Sequence, residues 1–540
     1  MEPFLQFDQL ASEYFEASYR ASPTTATDLG IHAYDDRLDD LSEAALRVYV
    51  AELKGFRSRF DALDAQALPV SAAIDRTLIL SDIEANLLSL DSICDWRRDP
   101  SFYITAPLFS IFMLASRGFA PLSERAQHMA SRLSQLPDLL AAGRRNLFSP
   151  PRVLTEIAIE ETEGAIEFCA LLVSQVTAQL SRRPQALIRA SAQATRALTE
   201  YLDFLKDELM LVSTGPLGLG IEHFEARLKR EHLLPYSVEE VYNMGQRVFD
   251  ETGRELAEWA RRLDPPKSWL EIAQESRRHY PMPSRLLSAY RREVAQLRRF
   301  CAEHDLVSLP EEDCEVIETP AFERALNNYA AYIGPAPFEG DQRGQFWVTP
   351  VDRTAAYAAQ VEQLEEHCNY LYPITAAHEA YPGHHVQLTR ANQVGSRWRK
   401  HFSSSLFAEG WALYCEELMD EAGYYRDSRT KLFQLKDRLW RAARVIIEIS
   451  IHCYNMPLDE GARFLVDRVG MTPTAARAET RRYAAEPTQP LSYLIGELEV
   501  FKLRDKFKQL TRREFHDLLL ASGTIPFALV EREMEEKVKR

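Results

Sequence analysis

The sequence predicts a mainly α-helical protein, and the distribution of apolar residues supports this class. Long stretches carry apolar residues at helical spacing, and only two short segments have the β-branched or aromatic character of strands. The 21 glycines and 28 prolines are scattered without low-complexity linkers, and we find no repeat period. The 540 residues are therefore expected to form one large helical unit rather than several linked domains.

The N-terminal half of the sequence contains long amphipathic segments that predict helices. These segments are residues 4–19, 43–94 with a break near Pro69, 122–146, 153–180 and 185–211. The uncharged stretch 101–116 is shorter than the roughly 20 residues that a membrane span requires, and it contains Pro107. We therefore expect this stretch to lie in the buried core, and we expect no membrane partner.

The C-terminal half continues the helical pattern after one change of character. Its predicted helices are residues 238–263, 284–304, 407–418, 429–454, 473–485 and 491–510. Segments 314–320 and 344–350 are short and bounded by turns, which predicts two strands. Lys and Arg mix with acidic residues from residue 429 onwards, a pattern typical of solvated helix faces. The glycine-rich stretch 215–220 predicts a turn, because no strand precedes it and no G-K-S/T follows it.

Charge and cysteine content narrow the class of protein. The formal net charge is −16, from 64 basic and 80 acidic residues, and such acidity argues against a nucleic-acid partner. The seven cysteines include no C-x-x-C motif, so we expect reduced thiols. The first residues lack the apolar run and cleavage site of a secretory signal. Together these features predict a cytoplasmic protein.

Residues 375–387 hold a dense group of metal-ligating side chains, T-A-A-H-E-A-Y-P-G-H-H-V-Q. In the zinc motif H-E-x-x-H, two histidines four residues apart bind the ion and the glutamate acts as general base. Here His384 follows His378 by six residues, and His385 follows it by seven. In an unbroken helix these spacings correspond to roughly 9 Å and 10.5 Å along the axis. Neither histidine could then share one ion with His378.

The residues between the histidines predict a break in the helix. Pro382 cannot donate a backbone hydrogen bond to the carbonyl of His378, and Gly383 tolerates nearly any backbone angle. A break at this point would bring His384 back towards His378. We expect His384 to be the second ligand, because it needs the smaller displacement, and His385 to support the site or face the substrate. Ligation by His385 stays open as the alternative.

A third ligand is expected from Glu409, which follows His378 by 31 residues and lies in the predicted helix 407–418. Three protein ligands with a fourth position open to water are typical of catalytic zinc sites. Gly410, next to this glutamate, would allow a neighbouring helix to approach closely. The sequence therefore predicts one Zn²⁺ held by His378, His384 and Glu409.

The motifs H-E-A-Y-P-G-H-H-V-Q and A-E-G-W-A-L-Y-C-E resemble those of the DUF885 family, distant relatives of the gluzincin metallopeptidases. Weaker similarities, which extend the resemblance over most of the chain, occur at residues 22–30, 218–224 and 486–496. The resemblance implies a mainly α-helical, two-lobed gluzincin-like fold with a deep cleft, and the predicted strands add a small β-sheet near the metal site. We expect one catalytic unit over residues 1–540, with approximate lobes 1–215 and 216–540 and a metal-site core at 371–425.

Hydrolytic chemistry assigns roles to further residues of the motifs. Glu379 is the expected general base, directed towards a metal-activated water. Glu416, seven residues after Glu409, either orients a ligand from behind the site or is a solvated helix residue. In the resembling peptidases a strand edge receives extended substrate, and a purely structural sheet is the alternative for the two predicted strands.

The chemistry also requires a hydrogen-bond donor for the developing oxyanion. The resemblance implies a tyrosine or histidine near the C-terminal end of the chain. Tyr493, in the segment Q-P-L-S-Y-L-I-G, is the first candidate, and Tyr483 is the second. Each of them is alternatively an ordinary core tyrosine.

The function predicted from these residues is a zinc-dependent hydrolase, a metallopeptidase that cleaves short peptides or a related amide bond. The alternatives are a biosynthetic enzyme that acts on one small amide-like metabolite and a non-catalytic helical binding protein with a vestigial metal site. The sequence contains neither the paired E-x-x-H motifs of di-iron proteins nor a G-x-S-x-G motif. It leaves open the substrate, the choice between exo- and endo-cleavage, and the oligomeric state.

Overall fold

The computed structural model describes residues 2–320, 324 and 329–539. Helices make up 71% of the chain and strands 3%, which confirms the predicted mainly α-helical class. Within the described residues, no helix combines the length and the apolar character needed to cross a membrane.

The chain divides into two compact units. The first contains Met1–Glu231 and Ala336–Asp341, and the second contains His232–Pro335 and Gln342–Arg540. The sequence-based boundary at residue 215 falls in the connection before the last helix of the first unit. A helix that the sequence assigned to the second lobe therefore packs with the first unit.

The first unit is helical throughout its secondary structure within the described residues. Its α-helices are α1 (Pro3–Ala21), α2 (Pro23–Leu29), α3 (Glu43–Asp61), α4 (Val70–Leu87), α5 (Asp95–Arg98), α6 (Thr105–Ser116), α7 (Leu122–Asn146), α8 (Arg152–Gln179), α9 (Gln185–Phe204), α10 (Met210–Val212) and α11 (Gly220–Ala226). The side chain of Ser42 caps the start of α3, where it accepts a hydrogen bond from the backbone N–H of Ala45. The predicted helix 122–146 coincides with α7.

The core of the first unit lies between α7 and α9, which pack along each other. Leu133, Leu136 and Leu198 are among the side chains that this packing buries completely. The stretch 101–116, which the sequence places in the core, ends in α6, and Ile111 and Leu114 of this helix are fully buried. That prediction is confirmed.

The second unit combines helices with a small sheet. Its helices are α12 (Val238–Leu263), α13 (Trp269–Arg277), α14 (Leu286–Glu303), α15 (Tyr357–Glu365), α16 (Tyr372–Glu379), α17 (His384–Ala391), α18 (Ser405–Glu421), α19 (Ser428–Tyr454), α20 (Leu458–Phe464), α21 (Pro473–Ala485), α22 (Ser492–Lys506), α23 (Arg512–Leu520) and α24 (Phe527–Lys539). Its strands are β1 (Cys314–Glu318), β2 (Ala330–Ile333) and β3 (Gly344–Val348).

The sheet has the strand order β1-β3-β2 in the described part of the chain. β1 runs parallel to β3, with Val316 opposite Phe346, and β2 runs antiparallel to it, with Tyr332 opposite Phe346. The predicted strands 314–320 and 344–350 correspond to β1 and β3. β2 has only four residues and was not predicted, because so short a segment carries little alternation.

Helices α18 and α22 pack closely against each other where Glu409 is located. A Cβ atom at Gly410 would collide with the backbone of Gly496, and a Cβ at Gly496 would collide with the carbonyl oxygen of Leu406. Glycine is therefore required at both crossing positions. This arrangement confirms the prediction that Gly410 permits a close helix approach, and it sets Glu409 beside the N-terminal half of α22.

The long helix α19 corrects one prediction. The sequence placed its Lys and Arg residues on a solvated face, yet Lys436 and Arg444 are buried, as is Glu448. The helix is covered on nearly all sides, because α12, α21 and α22 pack against it. Mixed charge on a helix therefore does not distinguish a solvated face from a buried polar one.

Candidate metal centre

The two histidines of the motif lie on different helices. α16 ends at Glu379, and α17 begins at His384. Between them the Tyr381–Pro382 peptide is cis, and the backbone N–H of Gly383 donates to the carbonyl oxygen of Ala377 at 3.0 Å. Any side chain at position 383 would collide with the carbonyl of His378. The predicted break in the helix is thereby confirmed.

The break brings the His378 and His384 rings together. Their centroids are 4.8 Å apart and their planes are inclined by 87°. Glu409 enters from α18, and its Oε2 lies 3.5 Å from Nε2 of His378 and 3.5 Å from Nε2 of His384. These three ligand atoms lie within 4.8 Å of one another. Among the described residues, no other group of three His, Cys, Asp or Glu has this arrangement.

The donor set fits a small divalent cation such as Zn²⁺. Metal–ligand distances of about 2.0–2.2 Å in a tetrahedral site separate the ligand atoms by about 3.3–3.6 Å, and the two Nε2–Oε2 distances lie in this range. Glu409 Oε2 is buried and accepts no well-formed hydrogen bond from the described residues, although it faces two imidazoles. A buried carboxylate oxygen left without a donor is expected where a cation binds.

A second carboxylate supports His378 from behind. Nδ1 of His378 donates to Glu416 Oε1 at 2.8 Å, which leaves Nε2 directed at Glu409. Burial opposes protonation of His378, but the nearby carboxylates of Glu409 and Glu416 raise its pKa to about 10. Burial alone would raise the pKa of Glu409, yet the two imidazoles hold it well below its ordinary value. The centre therefore favours a positive charge between these side chains.

Glu379 is held at the edge of the sheet. Its Oε2 accepts a hydrogen bond from the backbone N–H of Tyr332 in β2 at 3.1 Å, whereas its Oε1 accepts none from the described residues. Burial raises the pKa of this carboxyl, and the neighbouring imidazoles partly offset the increase. One oxygen is thus fixed and the other is available, which suits a general base. The contact of β2 with this carboxylate was missed, because the strand itself was not predicted.

His385 lies outside the cluster, and of its two predicted positions, supporting the site or facing the substrate, its contacts match the first. Its side chain is completely buried, and both ring nitrogens are occupied. Nε2 donates to the carbonyl of Glu312 at 3.0 Å, and Nδ1 accepts from the hydroxyl of Tyr332 at 3.0 Å. Burial lowers the pKa of His385 to about 4. The geometry therefore favours a positioning role, in which His385 fixes the strand that holds Glu379.

The two candidate oxyanion donors occupy different surroundings. The ring of Tyr493, at the start of α22, stacks near the His378 ring with centroids 6.3 Å apart. Burial and the nearby Glu409 raise the pKa of Tyr493 to about 12, which keeps its hydroxyl protonated. Tyr483 is fully buried, and its hydroxyl accepts a hydrogen bond from Trp440 Nε1 at 3.0 Å. The structure brings Tyr493 to the site and leaves Tyr483 in the interior.

Two arginines beside Tyr493 were not singled out from the sequence. The guanidinium carbons of Arg444 and Arg441 lie 4.6 Å and 5.8 Å from the centre of the Tyr493 ring. Both also lie over the ring of Trp440, at 4.1 Å and 4.6 Å. The signal in the sequence is the run W-R-A-A-R, which places these three residues on one side of a helix.

Two solved structures share this architecture. One is "a putative lipoprotein of unknown function from Shewanella oneidensis", with 23% identity, a TM-score of 0.83, and coverage of 98% of this chain and 99% of that chain. The other is "the putative lipoprotein from Colwellia psychrerythraea", with 18% identity, a TM-score of 0.83, and coverage of 99% of both chains. At this level of identity the similarity shows a shared fold and no shared activity.

Sequence comparison gives a family for the chain but no function. No functionally curated protein matches it. Residues 23–534 match the family described as "Bacterial protein of unknown function (DUF885)". Because this match includes both motifs of the metal centre and nearly the whole chain, the protein belongs to the DUF885 family.

Proposed function

We propose that this protein is a zinc-dependent hydrolase, a gluzincin-like metallopeptidase that cleaves short peptides or a related amide bond. The observation that carries the proposal is the convergence of His378, His384 and Glu409 at ligand spacing, beside a glutamate with one free oxygen. The two-lobed gluzincin architecture with a deep cleft is part of this proposal.

His378, His384 and Glu409 would hold the Zn²⁺, and Glu416 would orient His378 through its Nδ1–H. A bound zinc ion supplies a Lewis acid, which polarises a carbonyl and makes a ligated water more acidic. The protein contributes the orientation of these ligands and a buried environment, in which electrostatic interactions are stronger than in water.

Glu379 accepts the proton of the attacking water in this proposal. Because its Oε2 is fixed by the backbone of Tyr332, the proton goes to Oε1, and the same oxygen can deliver it to the leaving amine. Burial moves the pKa of Glu379 upwards, towards neutral pH. A general acid–base group is most effective when its pKa lies near the working pH.

Tyr493 donates a hydrogen bond to the oxyanion that develops on the scissile carbonyl. Its position beside the His378 ring supports this role, and its pKa of about 12 keeps the proton on the hydroxyl at neutral pH.

The edge of the sheet supports an extended peptide as the substrate. β2 is an edge strand in the described part of the chain, and its Tyr332 N–H already points away from β3 towards Glu379. A peptide paired with the backbone of β2 would therefore pass the general base, with little dependence on its side chains.

A reducing compartment suits the seven cysteines, all of which are free thiols. We therefore keep a cytoplasmic location in the proposal, although the two structural neighbours are named as lipoproteins. Fractionation of cells that express the protein tests this point, and recovery with membranes would contradict it.

The decisive experiment compares the wild-type protein with Glu379→Gln. The substitution removes the base and preserves the shape of the side chain, so turnover of a mixed peptide library should fall about 10²–10⁴-fold. Zinc content, measured by elemental analysis, should stay near one ion per chain, because all three ligands remain. Glu362→Gln, an exposed position on α15, is the matched control and should behave like the wild type.

Two outcomes would reject the proposal. Undiminished cleavage by zinc-loaded Glu379→Gln would remove the mechanism. A wild-type protein that binds zinc but cleaves neither the library nor small amides would favour the binding-protein alternative. Turnover of one small amide in place of the library would favour the biosynthetic enzyme.

A further inference from the structure

One face of α19 carries three cations that the proposed mechanism does not use. Lys436, Arg441 and Arg444 lie within one face of this helix, and we refer to them as the cationic face. Their side chains are 8%, 12% and 5% exposed. Long cationic side chains are rarely buried to this extent unless an anion compensates them.

The cationic face is poorly satisfied within the described residues. The Lys436 ammonium donates no hydrogen bond, and its nearest carboxylate, Asp437, lies 3.6 Å away. Arg441 shares the same carboxylate at 3.7 Å, and its Nε has no partner. Both contacts exceed the length of a normal charge-assisted hydrogen bond. The carboxylate of Asp437 is thus shared by Lys436 and Arg441, and it lies too far from either for a short hydrogen bond.

Arg444 also has incomplete hydrogen bonding. Its Nε and Nη1 have no hydrogen-bond partner among the described residues, and its Nη2 lies 3.3 Å from Glu479. That glutamate is also engaged by Arg482, which donates to both of its oxygens. Two buried donors of Arg444 therefore remain available to a ligand.

This positive charge lies next to the candidate metal centre. The ring of Tyr493 is 4.6 Å from the Arg444 guanidinium and 6.3 Å from the ring of His378. An extended peptide advances about 3.3–3.6 Å per residue. A group held at the cationic face would thus belong to a substrate residue within about three positions of the scissile bond.

We propose that the cationic face of α19 binds a carboxylate of the substrate, so that the enzyme prefers amides with a nearby negative charge. This inference rests on the proposed hydrolase function and adds its substrate class. Guanidinium groups bind carboxylates through paired hydrogen bonds, and Lys436 adds a point charge. The carboxylate comes either from the C-terminus of a peptide or from an acidic side chain.

Binding to the zinc-loaded Glu379→Gln protein tests the inference without turnover. Three probes are compared by calorimetry: N-acetyl-trialanine, its C-terminal amide, and N-acetyl-Ala-Glu-Ala amide. We expect at least one probe with a carboxylate to bind about 10-fold or more tightly than the uncharged amide, as charge-assisted hydrogen bonds imply. The free acid identifies a C-terminal site, and the glutamyl amide identifies a side-chain site.

Substitution of Arg441 locates the effect. In the same background, Arg441→Gln should reduce the preference for the carboxylate to less than about 3-fold and leave binding of the uncharged amide unchanged. Lys436→Met provides a second variant if Arg441→Gln does not fold. Arg429→Gln is the matched control, because this arginine lies on the same helix, is 39% exposed and pairs with Asp427. It should keep the full preference.

The results separate this inference from the proposed function. Equal binding of all three probes would overturn the carboxylate site, and so would a preference that survives both Arg441→Gln and Lys436→Met. If the wild type cleaves nothing but the preference is present and depends on Arg441, the carboxylate site stands and the hydrolase function fails. If cleavage occurs without any preference for a carboxylate, the hydrolase function stands and the carboxylate site fails.

Discussion

Two partly buried carboxylates, one in each unit, show how differently the same group can be used. Asp39 in the first unit accepts hydrogen bonds from Ser22 Oγ at 2.9 Å, from Thr24 N at 3.0 Å and from Thr24 Oγ1 at 2.9 Å. Glu409 in the second unit has a buried oxygen that accepts no well-formed hydrogen bond and faces two imidazoles. The first carboxylate is satisfied by its own fold, and the second is not.

The contrast shows how a structural motif can be separated from a chemical one. Asp39 contacts residues 22–30 and Glu409 lies within residues 408–416, and both segments resemble the DUF885 family, so the resemblance alone does not rank the two carboxylates. Hydrogen bonding distinguishes the two carboxylates. A buried acceptor without a donor lowers the stability of the fold, and a bound cation would offset this cost. Each prediction below tests one side of this contrast.

The largest effect is expected from removal of a ligand. His384→Ala should abolish stoichiometric zinc binding, an effect beyond the roughly 10–100-fold cost of losing a supporting residue. Equilibrium dialysis against a zinc indicator measures the change.

The adjacent His385→Ala is the matched control. It should retain zinc, because the ring of His385 bonds to Glu312 and Tyr332 instead of pointing into the cluster. Its cost should be a lower free energy of unfolding, because a fully buried ring and two hydrogen bonds are lost. Full zinc retention in His384→Ala, with loss in His385→Ala, would reverse the assignment.

The second-largest effect, on turnover, is expected from substitution of Tyr493 and not of Tyr483. Tyr493→Phe should lower kcat about 10²–10³-fold with little change in KM, because the lost hydrogen bond forms mainly in the transition state. Tyr483→Phe should leave kcat near the wild-type value, since its hydroxyl is occupied by Trp440. If the two variants exchanged these kinetic patterns, the oxyanion donor would have to be reassigned.

Sequence reasoning predicted the helices and the group formed by His378, His384 and Glu409, because each has a local signal. The break after Glu379 follows from proline and glycine chemistry, and Gly410 signals a helix crossing without knowledge of its partner. α7, α12 and α21 follow directly from apolar spacing.

The rest of the site depends on contacts between distant segments. β2 is too short to be recognised, yet its backbone fixes Glu379. The sequence left ligation by His385 open as the alternative, and the contact of its ring with the carbonyl of Glu312 could not be predicted from it. The buried cations of α19 were misinterpreted because other helices cover them, and covering is a tertiary property.

A smaller effect is expected from the carboxylate behind His378. Glu416→Gln should weaken zinc binding about 10–100-fold, because the hydrogen bond at 2.8 Å orients the ligand and increases its basicity. Glu417→Gln, at the next position of α18, is the matched control, since Glu417 pairs with Lys431 and Gln434 and does not contact the centre. Equal zinc affinity in both variants would reduce Glu416 to a packing residue.

Asp39→Asn is expected to have the smallest effect on zinc binding and turnover. It tests the carboxylate whose hydrogen bonds all come from its own fold. The variant should keep zinc binding and turnover unchanged, and it should lose about 1–3 kcal/mol of unfolding free energy because one oxygen acceptor becomes a donor.

Burial raises the pKa of Asp39 above its ordinary value despite the hydrogen bonds from Thr24 and Ser22. Stabilisation linked to a raised pKa is complete below the unfolded-state pKa, about 3.9 for aspartate, and is lost as pH rises through the folded-state pKa. The stability difference between the wild type and Asp39→Asn should therefore be largest below about pH 4 and decrease as pH rises, which urea denaturation at a series of pH values measures. A constant difference would show that Asp39 titrates alike in both states, and a loss of zinc in this variant would remove the distinction between the two carboxylates.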